Sequence, residues 1–131
     1  MFKLSGKRPS DLGVKDGKFT AAPSWKPNWV SSQAAAGDSH LIAPIKAAGD
    51  PAAVVQRAAK LIAAQPRTKI VEHKGAYLYA EFSTALMGYT DDVELLADGK
   101  VLHVRSSSRL GVRDFNVNRK RVEALRSQLE K

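Results

Sequence analysis

The chain has 131 residues, of which 44% are hydrophobic and 26% are charged. This length suits one globular domain with a modest core, so we expect residues 1–131 to form a single domain. Uninterrupted apolar runs are only a few residues long, far short of the roughly 20 residues that a membrane-spanning helix needs. The sequence therefore excludes a helical membrane span.

The absence of cysteine excludes disulfides, thiolate metal ligands and a cysteine nucleophile. The first residues also lack the continuous apolar run and small-residue cleavage site of a secretory signal. We therefore expect a cytoplasmic location. Export is the alternative if a leader has been removed.

Basic residues outnumber acidic ones by 21 to 13, which gives a net charge of +8. The excess lies at the two ends, since residues 1–33 carry six basic and two acidic side chains and residues 101–131 carry eight and three. Most basic residues of the last segment are arginines, whose planar fork suits fixed bidentate pairing. This balance favours an anionic partner or a structural arginine network, and it does not choose among nucleic acid, lipid and small phosphates.

The first 49 residues are rich in glycine and proline, which interrupt helices and central strands. Apolar side chains such as Phe19, Trp29 and Ile42 would anchor this segment, which a solvated tail would not need. The sequence therefore predicts an ordered, loop-rich N-terminal wrap over residues 1–49 and a core built from residues 50–131.

The first helix is predicted to begin at Asp50 and Pro51, which supply a capping acceptor and a proline at the first helical position. Pro66 ends the helical pattern. The apolar residues at helical spacing are Val54, Val55, Ala58, Leu61 and Ile62, which predicts one buried face.

Two hairpins are predicted after this helix. Residues 68–84 change to the alternating pattern of strands around a turn at Lys74 and Gly75. Asp98 and Gly99 then form a dipeptide typical of a two-residue hairpin loop. If these two residues are the loop, His103 lies opposite Glu94, and counting outward places Arg105 opposite Asp92. The other side of this hairpin is apolar, so helices can cover it.

The last helix is predicted to open near Asn118, with Val117 and Val122 as a hydrophobic staple around its start. Its buried stripe would add Leu125 and Leu129. Consecutive hairpins flanked by helices indicate an α+β fold. We expect an antiparallel sheet of about four strands, with two helices on one face and the loop-rich N-terminal wrap.

Several short sequence segments of the chain are similar to segments of a known protein family. They are Arg8–Pro9 with Asp11–Gly13, Pro27–Asn28 with Val30–Gln33, Thr90–Glu94, Val104–Arg109 with Gly111, and Asp114 with Asn116–Arg126. In these segments the chain resembles the bacterial and plastid family of uncharacterised proteins catalogued as domain of unknown function 1499. The resemblance implies no catalytic residues. Members of that family commonly carry a cysteine pair where this chain has Pro23 and Trp29, so any disulfide or thiol role of relatives is lost here.

Arginine and serine alternate at the end of the second hairpin, where Arg105, Ser107 and Arg109 would share one face of the strand. Guanidinium groups beside hydroxyl and amide donors suit a phosphate or a carboxylate. We therefore expect a binding module for a small anionic or polar ligand, in a cleft between the wrap and the sheet end. The predicted ligand-binding residues are Asn28, Ser31, Arg105, Ser107 and Arg109.

The alternative interpretation of these arginines is structural. Arg105 would pair with Asp92 across the hairpin, and Arg109 would hold the strand end through Asp91 or Asp114. The predicted structural network is Asp91, Asp92, Glu94, His103, Asp114, Asn118 and Arg119.

Metal and cofactor sites are not expected. Carboxylates and a histidine cluster near the second hairpin, but strand alternation separates Asp91 from Asp92 and Glu94, and Arg105 already balances their charge. The three histidines show no zinc-ligand spacing, and no glycine-rich phosphate loop is present.

Two other functions remain as alternatives to ligand binding. A small hydrolase would need a serine beside a histidine, such as Ser107 with His103, but no nucleophile-elbow motif surrounds any serine. We therefore favour binding over catalysis. Nucleic-acid binding would use the basic last helix, although Arg119 and Arg121 lie about 200° apart around it, so that one of them should pack inward. No protein partner is indicated.

Overall fold

The protein was analysed as a computed structural model, which describes residues 8–20, 28–83, 89–109 and 116–130. In chain order its elements are β1 (Val14–Lys15), β2 (Lys18–Phe19), β3 (Trp29–Ser31), β4 (Ile45–Lys46), α1 (Pro51–Ala63), β5 (Thr68–Lys74), β6 (Tyr77–Ser83), β7 (Thr90–Ala97), β8 (Val101–Ser108) and α2 (Val117–Leu129). The predicted α+β class is confirmed. No helix in the described part of the chain is long and apolar enough to cross a membrane.

The first helix follows its sequence signals. The Asp50 side chain accepts a hydrogen bond from the Ala53 backbone N–H at 3.1 Å, and Pro51 occupies the first turn. A carboxylate at this position satisfies one of the N–H groups that a helix start leaves without a partner. Val54, Val55, Ala58 and Ile62 are buried as predicted, whereas Leu61 is only half-buried.

The main sheet has six strands among the described residues, so the expectation of about four was wrong. The two predicted hairpins form its antiparallel centre, in the order β8-β7-β6-β5. Along the outer edge of β8, β3 pairs with the C-terminal half and β4 with the N-terminal half. Both added strands come from the glycine- and proline-rich wrap, which is therefore partly built into the sheet.

The turn of the second hairpin differs from the prediction by one residue. Asp98 pairs with Val101 through their backbones at 3.2 Å, so Gly99 and Lys100 form the loop. The Asp98 carboxylate accepts hydrogen bonds from the N–H groups of Lys100 and Val101, which favours Asp98 as the residue before the loop. The predicted register was therefore wrong.

This one-residue change in the turn moves every cross-strand partner by two residues. Arg105 lies opposite Glu94 rather than Asp92, and His103 lies opposite Leu96 rather than Glu94. Because side chains alternate with a period of two, each residue nevertheless keeps its predicted face.

Both helices cover the same face of the sheet, which we call the helix face. Helix α1 packs on β5, β6 and β7, and α2 packs on β8, β3 and β4. Together they bury a continuous apolar core. Its fully buried members include Ile45, Val55, Ala58, Ile62, Leu78, Ala80, Leu95, Leu102, Val104 and Val122.

Helix α2 begins at Val117, one residue before the predicted start. Val122, Leu125 and Leu129 are buried as predicted. With Asn116 as the N-cap, Val117 is the first helical residue and is 39% exposed. A hydrophobic staple joins the residue before the N-cap to the fourth helical residue, so Val117 and Val122 do not occupy the staple positions of this helix.

The opposite face of the sheet is covered by residues 8–20, which we call the strap. Its hairpin, β1 and β2, turns at Asp16 and Gly17, both with positive φ (55° and 75°). Two successive positive φ angles are typical of the tight turn that suits the twist of a hairpin. The side chains of the strap face, listed by strand, include Tyr77, Tyr79, Glu81, Asp92, Glu94, Leu96, His103, Arg105, Ser107 and Ser31.

Candidate functional site: the strap face of the sheet

Charged side chains are buried between the strap and the sheet. Arg105 is 4% exposed and lies opposite Glu94, which is 1% exposed. Its guanidinium donates to the Glu94 carboxylate from Nε at 2.8 Å and also from Nη2. A buried charge of this kind is tolerated only with a partner of opposite sign and with its remaining hydrogen bonds satisfied.

The strap supplies the remaining partners of Arg105. The guanidinium donates to the backbone carbonyl oxygen of Asp11 at 2.9 Å and to that of Thr20. The ring of Phe19 lies beside it, with the guanidinium carbon 5.3 Å from the ring centre. In return, the Gly13 N–H donates to the Glu94 carboxylate at 2.7 Å. The strap is thus held on the sheet through one buried ion pair.

A second ion pair lies next to the first. Arg109 donates to Asp92 at 2.9 Å from both Nε and Nη2, and its Nη2 also contacts Glu81 at 2.6 Å. Arg8 of the strap donates to the same Glu81 carboxylate at 2.7 Å. The hydroxyl of Tyr79 donates to Asp92.

We call these six charged residues the ionic cluster: Arg8, Glu81, Asp92, Glu94, Arg105 and Arg109. Three arginines face three carboxylates, so the cluster is electrically balanced. The surplus positive charge of the chain therefore lies elsewhere.

The contacts within the cluster shift the pKa values of Glu81 and Arg109, and those of two neighbouring tyrosines. Burial tends to raise the pKa of Glu81, but the hydrogen bonds from Arg8 and Arg109 outweigh it and hold the pKa of Glu81 below its usual range. The hydrogen bonds to Asp92 raise the pKa of Arg109. Burial, with the neighbouring carboxylates Glu94 and Asp92, raises the pKa of both Tyr77 and Tyr79. Each tyrosine therefore remains a hydrogen-bond donor to its carboxylate.

The predicted ligand-binding residues divide between two locations. Ser31 lies opposite Arg105, on the strap face, and Ser107 lies on the same face because it pairs with Asp92. Arg109 also reaches this face, through its contacts with Asp92 and Glu81. Asn28 is separate, because its carbonyl accepts from the Ser108 N–H and from the Asn118 side chain at the junction with α2.

The residues predicted as a structural network are also divided. Asp92 and Glu94 belong to the ionic cluster, while Asp91 points to the helix face and pairs with Arg121 at 2.7 Å. Asp114 lies outside the described residues.

The polar members of α2 are directed towards the chain itself. Asn118 is fully buried, donates to Ser108 at 3.0 Å and accepts from Ser106 at 2.7 Å. Arg119 donates to the carbonyl oxygens of Ser39 and Leu41. Arg121 is the arginine that packs inward, where it contacts Asp91 and lies 5.0 Å from the ring centre of Phe82.

His103 has two partners that the sequence did not point to. Its Nδ1 lies 3.0 Å from the Ser32 hydroxyl, and its Nε2 lies 3.4 Å from the Asp98 carboxylate. Ser107, the serine that we paired with His103 from the sequence, lies four residues further along β8. In a strand this separation is about 13 Å, so Ser107 is too far from His103 for a direct hydrogen bond.

No group of three or more histidine, aspartate or glutamate side chains in the described part of the chain could hold a metal ion. The carboxylates of the ionic cluster face guanidinium groups instead. What the strap face can offer chemically is hydrogen-bond donors of fixed geometry on arginine, serine and tyrosine.

Fold and site together define a class of α+β protein in which a short N-terminal strap closes over an ionic cluster on an antiparallel sheet. The family described as "Protein of unknown function (DUF1499)" matches residues 20–129, and the chain belongs to this family, as its sequence resemblance indicated. No curated protein and no solved structure matched the chain in the corresponding comparisons.

Proposed function

We propose that this protein is a binding module for a small anionic or polar ligand, and that the ligand is bound at Arg105. One observation carries the proposal. The donors of Arg105 that Glu94 does not take are occupied by neutral carbonyl oxygens of the strap, those of Asp11 and Thr20. The strap carbonyls therefore occupy the guanidinium donors that an oxygen atom of a bound ligand would occupy.

An anionic oxygen is a stronger partner for a guanidinium than a neutral carbonyl oxygen is. A carboxylate or phosphate that replaced the two carbonyls would therefore offset part of the free energy needed to move the strap. Ser31, directly opposite Arg105, and Ser107, two residues further along β8, would add hydroxyl donors on the same face.

The contacts and charges of the strap also support an anionic ligand. Lys15 and Lys18 lie opposite each other in its hairpin and are exposed, which raises the local positive potential. At its outer end the strap is held by Arg8, whose side chain is 51% exposed. A contact with this exposure is readily broken, since surface ion pairs are screened by water and salt.

Arg109 and Asn28 have different roles in this proposal from those expected for direct ligands. Arg109 is engaged by Asp92 and Glu81, so it orders the carboxylates next to the site. Asn28 holds the end of β8 against α2 through its carbonyl oxygen.

The basic residues of α2 favour this proposal over nucleic-acid binding. Arg119, Arg121 and Arg126 all donate to groups of the chain itself. Arg121 and Arg126 face carboxylates, so Arg119 and Lys120 are the basic side chains of α2 without an acidic partner among the described residues, and two charges neutralise few phosphates of a nucleic-acid backbone.

The test is a thermal-shift panel of small carboxylates and phosphates at constant ionic strength. A ligand that binds only the folded state raises the melting temperature, and we expect this for at least one anion with the wild type. Arg105→Gln should abolish the shift, and Ser107→Ala, which removes a half-buried hydroxyl without touching the ion pair, should reduce it.

The matched control is Lys120→Gln, which removes one exposed positive charge from α2, on the opposite face of the sheet from Arg105. The proposal is wrong if no anion stabilises the wild type. It is equally wrong if Lys120→Gln loses as much of the shift as Ser107→Ala does, because the effect would then be general charge screening.

A further inference from the structure

We propose that Ser32 is an activated nucleophile, with His103 as its general base and Asp98 as the group that orients the histidine. The site would accept acyl groups from small activated esters. This inference goes beyond ligand binding at Arg105 and does not depend on it.

The three side chains form a continuous chain of contacts. The Ser32 hydroxyl lies 3.0 Å from His103 Nδ1, and His103 Nε2 lies 3.4 Å from an oxygen of the Asp98 carboxylate. A nucleophile, a base and an orienting carboxylate in this order are the constellation that activates serine in unrelated folds.

The groups around His103 favour one tautomer of its ring. The Asp98 carboxylate only accepts, so in the neutral imidazole Nε2 carries the proton and Nδ1 is the acceptor. The Val104 N–H donates to the Ser32 oxygen at 2.9 Å, which leaves the hydroxyl proton of Ser32 free to point to Nδ1. The serine is therefore oriented to lose its proton to His103.

The backbone fixes each member of the group. Ser32 directly follows β3, and its N–H donates to the Val104 carbonyl at 2.9 Å. His103 is within β8. Asp98 is held at the turn by the N–H groups of Lys100 and Val101, and these hydrogen bonds lower the pKa of Asp98 and keep it ionised. Preorganised groups on strands and tight turns reduce the cost of reaching a reactive geometry.

Small reagents can reach the group from solvent. Ser32 is half-buried, the His103 side chain is 20% exposed and the Asp98 side chain is 46% exposed. The Arg105 side chain, two residues further along the same face of β8, is in contrast only 4% exposed because the strap covers it.

The chemical step transfers an acyl group and involves no redox change. Ser32 Oγ would attack the ester carbonyl carbon while its proton moves to His103 Nδ1. The bond from the carbonyl carbon to the leaving oxygen then breaks, and the imidazolium returns the proton to the alcohol. Water would release the acyl group from Ser32 as a carboxylic acid, with His103 again as the base.

The experiment treats the full chain with a fluorophosphonate probe and locates the modified residue by peptide mass spectrometry. The Ser32 oxygen would displace fluoride from phosphorus, so we expect the label on Ser32. The labelling rate should fall at least about tenfold in His103→Gln, since general-base catalysis typically contributes more than this. Asp98→Asn should give an intermediate rate.

The matched control is Ser127→Ala. Ser127 is an exposed serine on α2 whose hydroxyl donates only to the Ala124 carbonyl at 3.0 Å among its described contacts, and the variant should label like the wild type. Hydrolysis of p-nitrophenyl acetate, followed by p-nitrophenolate absorbance, gives an independent rate that should disappear in Ser32→Ala.

The labelling site on the wild type is located without any variant, so this result stands even if a variant does not fold. The inference is overturned if the wild type carries no label on Ser32, if other serines are labelled as fast, or if folded His103→Gln labels at the wild-type rate. Because Ser107→Ala should leave labelling unchanged, failure of this inference and failure of the Arg105 site are distinguishable.

Discussion

The two faces of the sheet are built from alternate residues of the same strands, yet one is stabilised by apolar packing and the other by buried ion pairs. On the helix face, Leu95, Leu102 and Val104 are fully buried among apolar side chains. On the strap face, their neighbours Glu94 and Arg105 are equally inaccessible but charged. The comparison shows that burial alone does not identify a hydrophobic core in this fold.

The two kinds of burial respond differently to substitution. Apolar burial is non-directional, so its loss follows the volume removed. A buried ion pair contributes little beyond its desolvation cost, but removal of one partner leaves an uncompensated charge. The strap face should therefore be the more sensitive to single substitutions and the more tolerant of paired ones.

The largest effect is expected for Arg109→Ala. Asp92, which is 1% exposed, would lose its cationic partner, and such a loss typically costs about 3–5 kcal/mol. The urea midpoint of unfolding measures this cost. Lys60→Ala, at an exposed position of α1, is the matched control and should change stability by less than about 0.5 kcal/mol. A small loss for Arg109→Ala would mean that the arginine is not part of the architecture.

On the helix face, Leu102→Ala should cost about 2–5 kcal/mol, because it leaves a cavity in a closed apolar core. Leu96→Ala is the control on the strap face, where the leucine is only half-buried, and it should cost clearly less. Equal losses in the two variants, measured by urea unfolding, would contradict the assignment of the apolar core to one face.

Because of Glu81, the stability contributed by the strap face should depend on pH, unlike that of the helix face. Its pKa is lowered in the folded state, so its contribution is fully present above its unfolded pKa and is lost as the pH falls through the folded value. Glu81→Gln should cost about 1–3 kcal/mol at neutral pH. As the pH falls below the ordinary glutamate pKa of 4.5, the free energy of unfolding of the Glu81→Gln variant should then decrease less steeply than that of the wild type. Parallel acid-unfolding curves would exclude this role.

The smallest effect is expected for Glu123→Ala. Glu123 pairs with Arg126 at 2.8 Å on the surface of α2, three residues apart. Pairs of this kind contribute about 0.2–0.5 kcal/mol and are screened by salt. The difference from wild type in the urea midpoint should therefore shrink in high salt, and a salt-independent loss above about 1 kcal/mol would mean that the pair belongs with the buried ones.

The local signals of the sequence predicted most of the fold. Asp50 and Pro51 placed the start of α1, and Gly75 and the Asp98–Gly99 dipeptide placed the two hairpins, because these signals act over a few residues. The same dipeptide at Asp16–Gly17 was the available signal for the strap hairpin. The exact loop after β7 was missed because the Asp98 side chain binds the loop N–H groups, which moves the turn forward by one residue.

What the sequence could not predict depends on pairing between distant segments. Strands β3 and β4 are three and two residues long and lie among turn-forming residues, so no periodicity marks them. The contact of Ser32 with His103 joins residues 71 positions apart. The burial of the charges on the strap face also depends on a distant segment, because the strap, which crosses the sheet from outside, removes them from water.

The pairing of β3 with β8 joins Trp29 to Ser107, across 78 residues. A loop of this length closes at an entropic cost that must be met before the contact stabilises anything, and such non-local pairings slow folding. We expect the two hairpins and α1 to gain protection first in pulse-labelling hydrogen exchange, and the Val30 and Ser31 amides to gain it last. Early protection of these two amides would show that the sheet instead nucleates at its outer edge.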